Sequence, residues 1–499
     1  MTTVSASIPG AGFLERYFGF AARGTTLARD TAAGATTFVV MSYIIFVNPI
    51  ILTGATPAFG PTITFAQVLT STCLVAAVMS IAMGLTTNYA YAIAPGMGLN
   101  VFIAYGLVAS GKASWPEAMG LVVLEGVAMV ALAVTGFREM IFKAIPLELK
   151  KAIAIGIGLF IAFIGLYNSH IIASASGGQP VTLGAFTTWP IFVTFFGIVF
   201  TFALRAIRFK GDLLVGIIGT TIVATLVNWG TDYTAFTTPG VARFPGWSNI
   251  PQSPDFHLLG QISFDSFSST QLGVVASLVW VFSLFLSDFF DFSGTAIGVG
   301  KQAGYVDKDG NIPQFKKALI VDGAAAMAGG FASASSATTY IESGSGVAAG
   351  GRTGWVAVVA GLLFVPFMFF SPLIGMVPAE ATAAALIVVG WLMISTLTEA
   401  EGEAEGAGAS KLAGIDFHDL AIGLSAALTI MVMPFTYSIT NGIGFGFITY
   451  TVICAASRQW KRIHPFMWVV SAAFVLYFLI PLLQQHFSFF GGHLGLPAM

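Results

Sequence analysis

The chain has 499 residues, of which 56% are hydrophobic and 9% charged, and its formal net charge is −2 at pH 7. An average soluble domain carries about 25% charged residues, so this composition excludes an ordinary soluble protein, and the lack of a basic surplus excludes a nucleic-acid binder. The two cysteines, Cys73 and Cys454, sit in apolar stretches and give no basis for disulfide or metal-thiolate chemistry.

The segment before Arg29 lacks the apolar core of a cleavable signal peptide, so the first span is expected to be retained. From Thr31 to Gly111 the chain carries no Asp, Glu, Lys, Arg or His. One bilayer crossing needs about 20 apolar residues, so this stretch alone holds three. Apolar segments centre near residues 43, 75, 100, 127, 160, 196, 221, 285, 323, 348, 363, 389, 427 and 449, which predicts fourteen spans. A further apolar stretch, Phe466 to Leu482, follows the basic residues Arg458, Lys461 and Arg462 and reads either as an extra span or as an interfacial helix. With the N-terminus inside, all but two of the 21 Lys and Arg residues fall in inner loops, the exceptions being Lys112 and Arg243. Basic loops stay cytoplasmic, so a multi-pass protein of the cell membrane with a cytoplasmic N-terminus is expected.

Two polar inserts punctuate the chain, Thr231 to Thr270 and the Gly- and Glu-rich run Glu399 to Ser410. The first divides the chain into halves, and the second has the composition of a flexible loop. "IPLELKKAIAIGIGLFI" from Ile145 resembles "VPAEATAAALIVVGWLM" from Val377, with Gly158 matching Gly390. Seven spans separate these copies. An odd number inverts the second copy in the membrane, the repeat pattern of many secondary transporters.

Two breaks interrupt the helical pattern at corresponding places, Tyr91 to Tyr105 and Ser335 to Gly354. The first contains Pro95, Gly96 and Gly98, and the second Gly344, Gly346, Gly350 and Gly351, all unsuited to a continuous helix. Each break is read as a short strand leading into a half-helix that starts inside the membrane, where free backbone N–H groups meet a ligand. Asn100 marks the first break and Glu342 the second, with Ser343 following. Asp288 and Asp291 lie three apart on one long span, and Asp322 and Glu125 fall in two others. Ionised carboxylates are costly in hydrocarbon, so these acids should face a polar interior. Phe289, Phe290 and Phe102 neighbour the polar positions as stacking partners. The six histidines lack the i, i+4 spacing of a helical metal site, so neither a metal nor a cofactor is expected.

This constellation favours a planar heterocycle over an anion. Ring N–H and amino groups donate to carboxylates, ring acceptors meet Asn100 and backbone N–H groups, and the faces stack on Phe. An anion would be repelled by Glu342 and Asp288 unless both were protonated. The competing readings are an anion exchanger of the same architecture, for bicarbonate or sulfate, and an enzyme or channel; the nucleophile–base pair that an enzyme needs is not evident.

Six stretches carry a resemblance: "TTFVVMSYIIFVNP" from Thr36, "APGMGLN" from Ala94, "AIGIGLFIAFIGL" from Ala154, "DFFDFSGT" from Asp288, "TTYIESGSGVAAGGRTG" from Thr338 and "MPFTYSITNGIGFGF" from Met433. Together they resemble the AzgA-type hypoxanthine/guanine permeases of the nucleobase-cation symporter family, related to the xanthine and uracil permeases. The resemblance implies an all-α polytopic protein with a seven-plus-seven inverted repeat and two broken helices, each preceded by a short strand. It implies a core domain (1–136 and 272–372) moving against a gate domain (137–229 and 373–457), an external loop (230–271) and a tail (458–499). Proton-coupled import of a purine base such as hypoxanthine, guanine or adenine follows by the same resemblance, with a homodimer compatible with it. Asn100, Gly98, Asp288, Glu342, Phe289 and Ser343 then correspond to the substrate site, and Asp288, Asp291, Asp322 and Glu342 to proton coupling.

Overall fold

A computed structural model of the chain describes residues 12–135, 144–173, 181–238, 240–269, 272–305, 312–399, 411–412 and 415–486. Arg138, Lys143 and Lys308, assigned above to inner loops, and the Gly- and Glu-rich residues 400–410 lie outside the described residues. The architecture is helical. Each of the fourteen predicted centres falls on a helix, except residue 43, which sits at the junction of helices Leu27–Met41 and Ile44–Gly54.

Among the described residues, eight helices are long and apolar enough to cross a membrane. Local chemistry fixes where they start. Thr64 and Gln67 form a reciprocal capping box at Phe65–Thr87, and Thr26 caps Leu27–Met41. Trp189–Ala206 and Asp212–Gly230 leave Phe192, Phe195, Phe202, Ile222 and Leu226 exposed. Apolar surface on this scale would drive association in water but matches lipid tails.

The helices pack in two groups. Phe65–Thr87 packs on Trp355–Phe364, and Trp115–Thr135 on Phe315–Phe331. Leu147–Asn168 packs on Ala379–Glu399 and Leu420–Phe435, and the latter on Ile439–Ala456. Loop contacts gather at two ends of the molecule. At one, Arg23 donates to the carbonyls of Asn88 (2.7 Å) and Arg352 (3.1 Å), and Tyr305 also reaches Arg352 (3.1 Å). At the other, the 231–269 segment is pinned by backbone bonds from Ala242 to Met376, Gln252 to Phe369 and Gly260 to Phe331.

The stretch left open above, Phe466 to Leu482, lies in helix Pro465–His486, which runs back along Ile439–Ala456. Ser471 meets Thr451 (2.8 Å) and the Phe447 carbonyl (3.1 Å), and Phe478 meets Phe445 with ring centroids 5.1 Å apart. Its Phe466 and Phe474 also reach Phe282 on the long helix Gly273–Ala303. Contacts spread along the axis of a neighbouring span describe a packed helix rather than one lying across a face.

The two breaks meet. Strand Ile93–Pro95 pairs antiparallel with Ala337–Thr339, in the register Ile93 to Thr339, Ala94 to Thr338 and Pro95 to Ala337. Helix Met97–Ile103 leaves the first strand and continues as a π-helical turn to Ala109, while the much shorter Ser343–Ala348 follows the second.

Candidate functional site

Irregular backbone inside a bilayer must find its hydrogen bonds within the protein, and the two strands supply them to each other. The Gly96 N–H donates to the Ser336 carbonyl (2.8 Å) and the Tyr340 N–H to the Ala92 carbonyl (2.9 Å). Pro95, which has no N–H, closes its strand, and its carbonyl accepts from the Tyr340 hydroxyl. Ser343 is part of the same fastening, because its hydroxyl accepts from the Ala92 N–H (2.9 Å).

A small, partly open cavity lies beside this crossing. Its polar wall is Tyr43, Ser287, Asp291, Thr295, Thr339 and Glu342, together with the ring of Tyr340. The turn Gly96 to Leu99 forms another side, and Ile157, Val389 and Met393 an apolar one. Helix Met97–Ile103 has no side-chain cap, so its first N–H groups face the cavity unclaimed by a capping side chain. The second half-helix behaves differently from expectation. The N–H groups of Ser343, Gly344 and Ser345 are consumed by the carbonyls of Tyr340, Ile341 and Glu342, so it offers the cavity the Glu342 carboxylate rather than free backbone.

The sequence-predicted residues divide between the wall and the layer behind it. Gly98, Asp291 and Glu342 line the cavity. A Cβ on Gly98 would lie 2.6 Å from Ile157 Cγ2, so only a residue without a side chain lets the broken helix approach the opposite wall. Asn100 is fully buried behind the wall and donates to Asn48, which in turn donates to Thr72 (2.8 Å) and the Ala334 carbonyl (3.2 Å). Asp288 is also fully buried, beside Thr338 and Glu125, and neither of its oxygens receives a hydrogen bond of good geometry from the described residues. Three residues separate it from Asp291, which is about 60° around a helix. That rotation turns Asp291 to the cavity and Asp288 inward.

Asp322 accepts from the Thr339 N–H and hydroxyl (2.8 Å each) and from Thr338 (3.2 Å), and Glu125 accepts from Ser336 (3.0 Å). Glu125, Asp288 and Asp322 thus gather behind strand Ala337–Thr339, which leads to Glu342. The phenylalanines are placed elsewhere. Phe289 stacks on Phe285, Phe102 on Trp280, and Phe290 meets the Lys150 ammonium. The aromatic rings at the cavity are Tyr43 and Tyr340, which the sequence reading missed. Tyr340 carried a signal, lying inside the second break two residues before Glu342, whereas Tyr43 stands in an apolar run.

The Permease family (Xan_ur_permease) matches residues 30–403. The chain is 37% identical over 473 residues to the guanine/hypoxanthine permease PbuG of Bacillus subtilis, covering 93% of this chain and 99% of the relative. It is 37% identical over 467 residues to the adenine permease AdeQ of Escherichia coli, covering 93% and 96%. Among solved structures, the transmembrane domain of the cyanobacterial bicarbonate transporter BicA superposes with a TM-score of 0.56 at 14% identity, over 84% of this chain and 97% of that one. At that identity the likeness is one of fold alone. On the family match and on the identity shared over nearly the whole chain, this multi-pass membrane protein belongs to the Xan_ur_permease family of permeases.

Proposed function

We propose that the chain imports purine nucleobases together with protons by alternating access, in the cell membrane with its N-terminus cytoplasmic. The observation that carries the reading is the cavity itself: two carboxylates, Glu342 and Asp291, face the uncapped turn Met97 to Leu99, with two tyrosine rings beside them. A purine has N–H donors for the carboxylates, ring acceptors for the backbone N–H groups and a face for the phenols. The names of the relatives, guanine/hypoxanthine and adenine permeases, support the same class.

The wall supports a sliding mechanism. Every polar side chain in it comes from the segments 1–136 and 272–372 of the proposed core, whereas Ile157, Val389 and Met393 from Leu147–Asn168 and Ala379–Glu399 are apolar. A core carrying the whole polar site past an apolar gate keeps the polar contacts to the cargo on one body. The proton is assigned to Asp288, a carboxyl buried with Glu125 and Asp322 behind strand Ala337–Thr339.

The fold likeness to a bicarbonate transporter raises anion exchange as the second reading. No Lys or Arg stands among the described lining residues, and two carboxylates do, which disfavours an anion. Uptake of labelled hypoxanthine, guanine and adenine in cells lacking their own permeases, with and without excess bicarbonate or sulfate, separates the two. Uptake of a base that is saturable and indifferent to both anions is expected; no uptake of any base would sink the proposal.

A further inference from the structure

Tyr43 interrupts the first span. Helix Leu27–Met41 and helix Ile44–Gly54 are separated by Ser42 and Tyr43, and there the bonding tightens, with the N–H groups of Ile45 and Phe46 donating three residues back to Ser42 and Tyr43. A short tightened turn inside a span re-aims a side chain. Here it delivers the Tyr43 hydroxyl to Glu342 Oε1 at 2.7 Å, with both residues buried and both lining the cavity. Oε2 of Glu342 accepts from no other side chain among the described residues. Asp291 lines the same cavity, and among the described residues no side-chain hydrogen bond reaches it.

Resting on the nucleobase reading above, we infer that Tyr43 is a positioning residue for cargo recognition. Its hydroxyl holds one oxygen of Glu342 and so presents the other to the ring N–H of the base. Without that bond the carboxylate is free to turn toward Ser287, Thr295 or Thr339, all in the same wall, and its aim at the base is lost. Tyr340 is the built-in comparison. Its ring lies 6.5 Å from that of Tyr43, but its hydroxyl is given to the Pro95 carbonyl and so serves the strand crossing rather than the carboxylate.

The test compares Tyr43→Phe, Tyr340→Phe, Glu342→Gln and the Tyr43→Phe/Glu342→Gln double variant, purified as full chains and assayed for base binding and for uptake in proteoliposomes. Tyr43→Phe should weaken binding about ten- to thirty-fold, the weight of one hydrogen bond to a charged group, with the maximal rate changed less than about threefold. It should also narrow the preference for a purine over its counterpart methylated at the recognised ring nitrogen. In the Glu342→Gln background the same substitution should add almost nothing, because a residue that acts through another is non-additive with it. Tyr340→Phe should leave the methyl discrimination intact.

Wild-type affinity and discrimination in Tyr43→Phe would overturn the assignment, as would additive losses in the double variant. Failure of Tyr43→Phe to yield folded protein while Tyr340→Phe does would also overturn it, placing Tyr43 in stability. Absence of base uptake by the wild type would remove the nucleobase reading and this inference together, an outcome distinct from a change confined to the variants.

Discussion

Gly158 and Gly390 face each other where helices Leu147–Asn168 and Ala379–Glu399 cross. A Cβ on Gly158 would lie 2.6 Å from the Gly390 carbonyl oxygen, and one on Gly390 would press on the Gly158 carbonyl. These are the two residues that match when the halves of the sequence are aligned. Without side chains the backbones come into direct contact, and in lipid such packing is what holds helices together. Substitution of either by Ala should therefore destabilise by about 1–3 kcal/mol through overpacking. Thermal unfolding in detergent measures this, and the double variant should cost less than the sum of the singles because the separation forced by one Cβ makes room for the other.

Glu342→Ala should lose binding and transport together. Removing the charged partner of a buried N–H on the base costs about 1.5–3 kcal/mol, a factor of ten to a hundred in affinity. Calorimetric titration of the purified variant reads it, and an unchanged affinity would move the site elsewhere.

Asp288→Asn imitates a permanently protonated carboxyl. Because Asp288 lies behind the cavity wall and not in it, base binding and base-for-base counterflow should survive. Accumulation driven by a proton gradient should fall to the level of passive equilibration, since coupling requires that affinity differ between the two protonation states. Asp291→Asn, by contrast, alters the wall itself and should weaken binding. Should Asp288→Asn still concentrate base when the outside is acidified, the proton travels on another group.

The orientation can be checked on a background in which the buried Cys73 and Cys454 are replaced by Ala. A cysteine at the exposed Ser253 should react with an impermeant maleimide in intact cells, and one at the exposed Ser457 only after permeabilisation. The reverse pattern would invert the topology.

Much of the fold was legible because its signals are chemical and local. Pro95, Gly96 and Gly98 can hardly occur mid-helix without a break, and runs without charge can hardly occur outside a bilayer. The facing of individual side chains was less legible. Asp288 and Asp291 look equivalent in sequence, and only the packing of Gly273–Ala303 decides that one meets the cavity and the other meets Glu125 and Asp322. Asn100 carries the right chemistry for a base, yet Asn48, a residue in another span, claims its amide. Tyr43 was passed over because a tyrosine in an apolar run reads as packing until a carboxylate from the other half of the chain is placed beside it.

The strand crossing bears on how the protein is made. Pro95 and Tyr340, whose carbonyl and hydroxyl are joined, lie 245 residues apart. During synthesis, the Ile93–Pro95 strand therefore enters the membrane long before Ala337–Thr339 exists to pair with it. Unpaired backbone is costly in hydrocarbon, so the first break cannot settle at its final depth alone. The early spans must wait at the edge of the translocation channel, or hold that strand in a wet crevice, until the second half arrives. Assembly of the two halves then becomes a single late event, and a chain cut within the 231–269 segment should insert stably only when both fragments are made in the same cell.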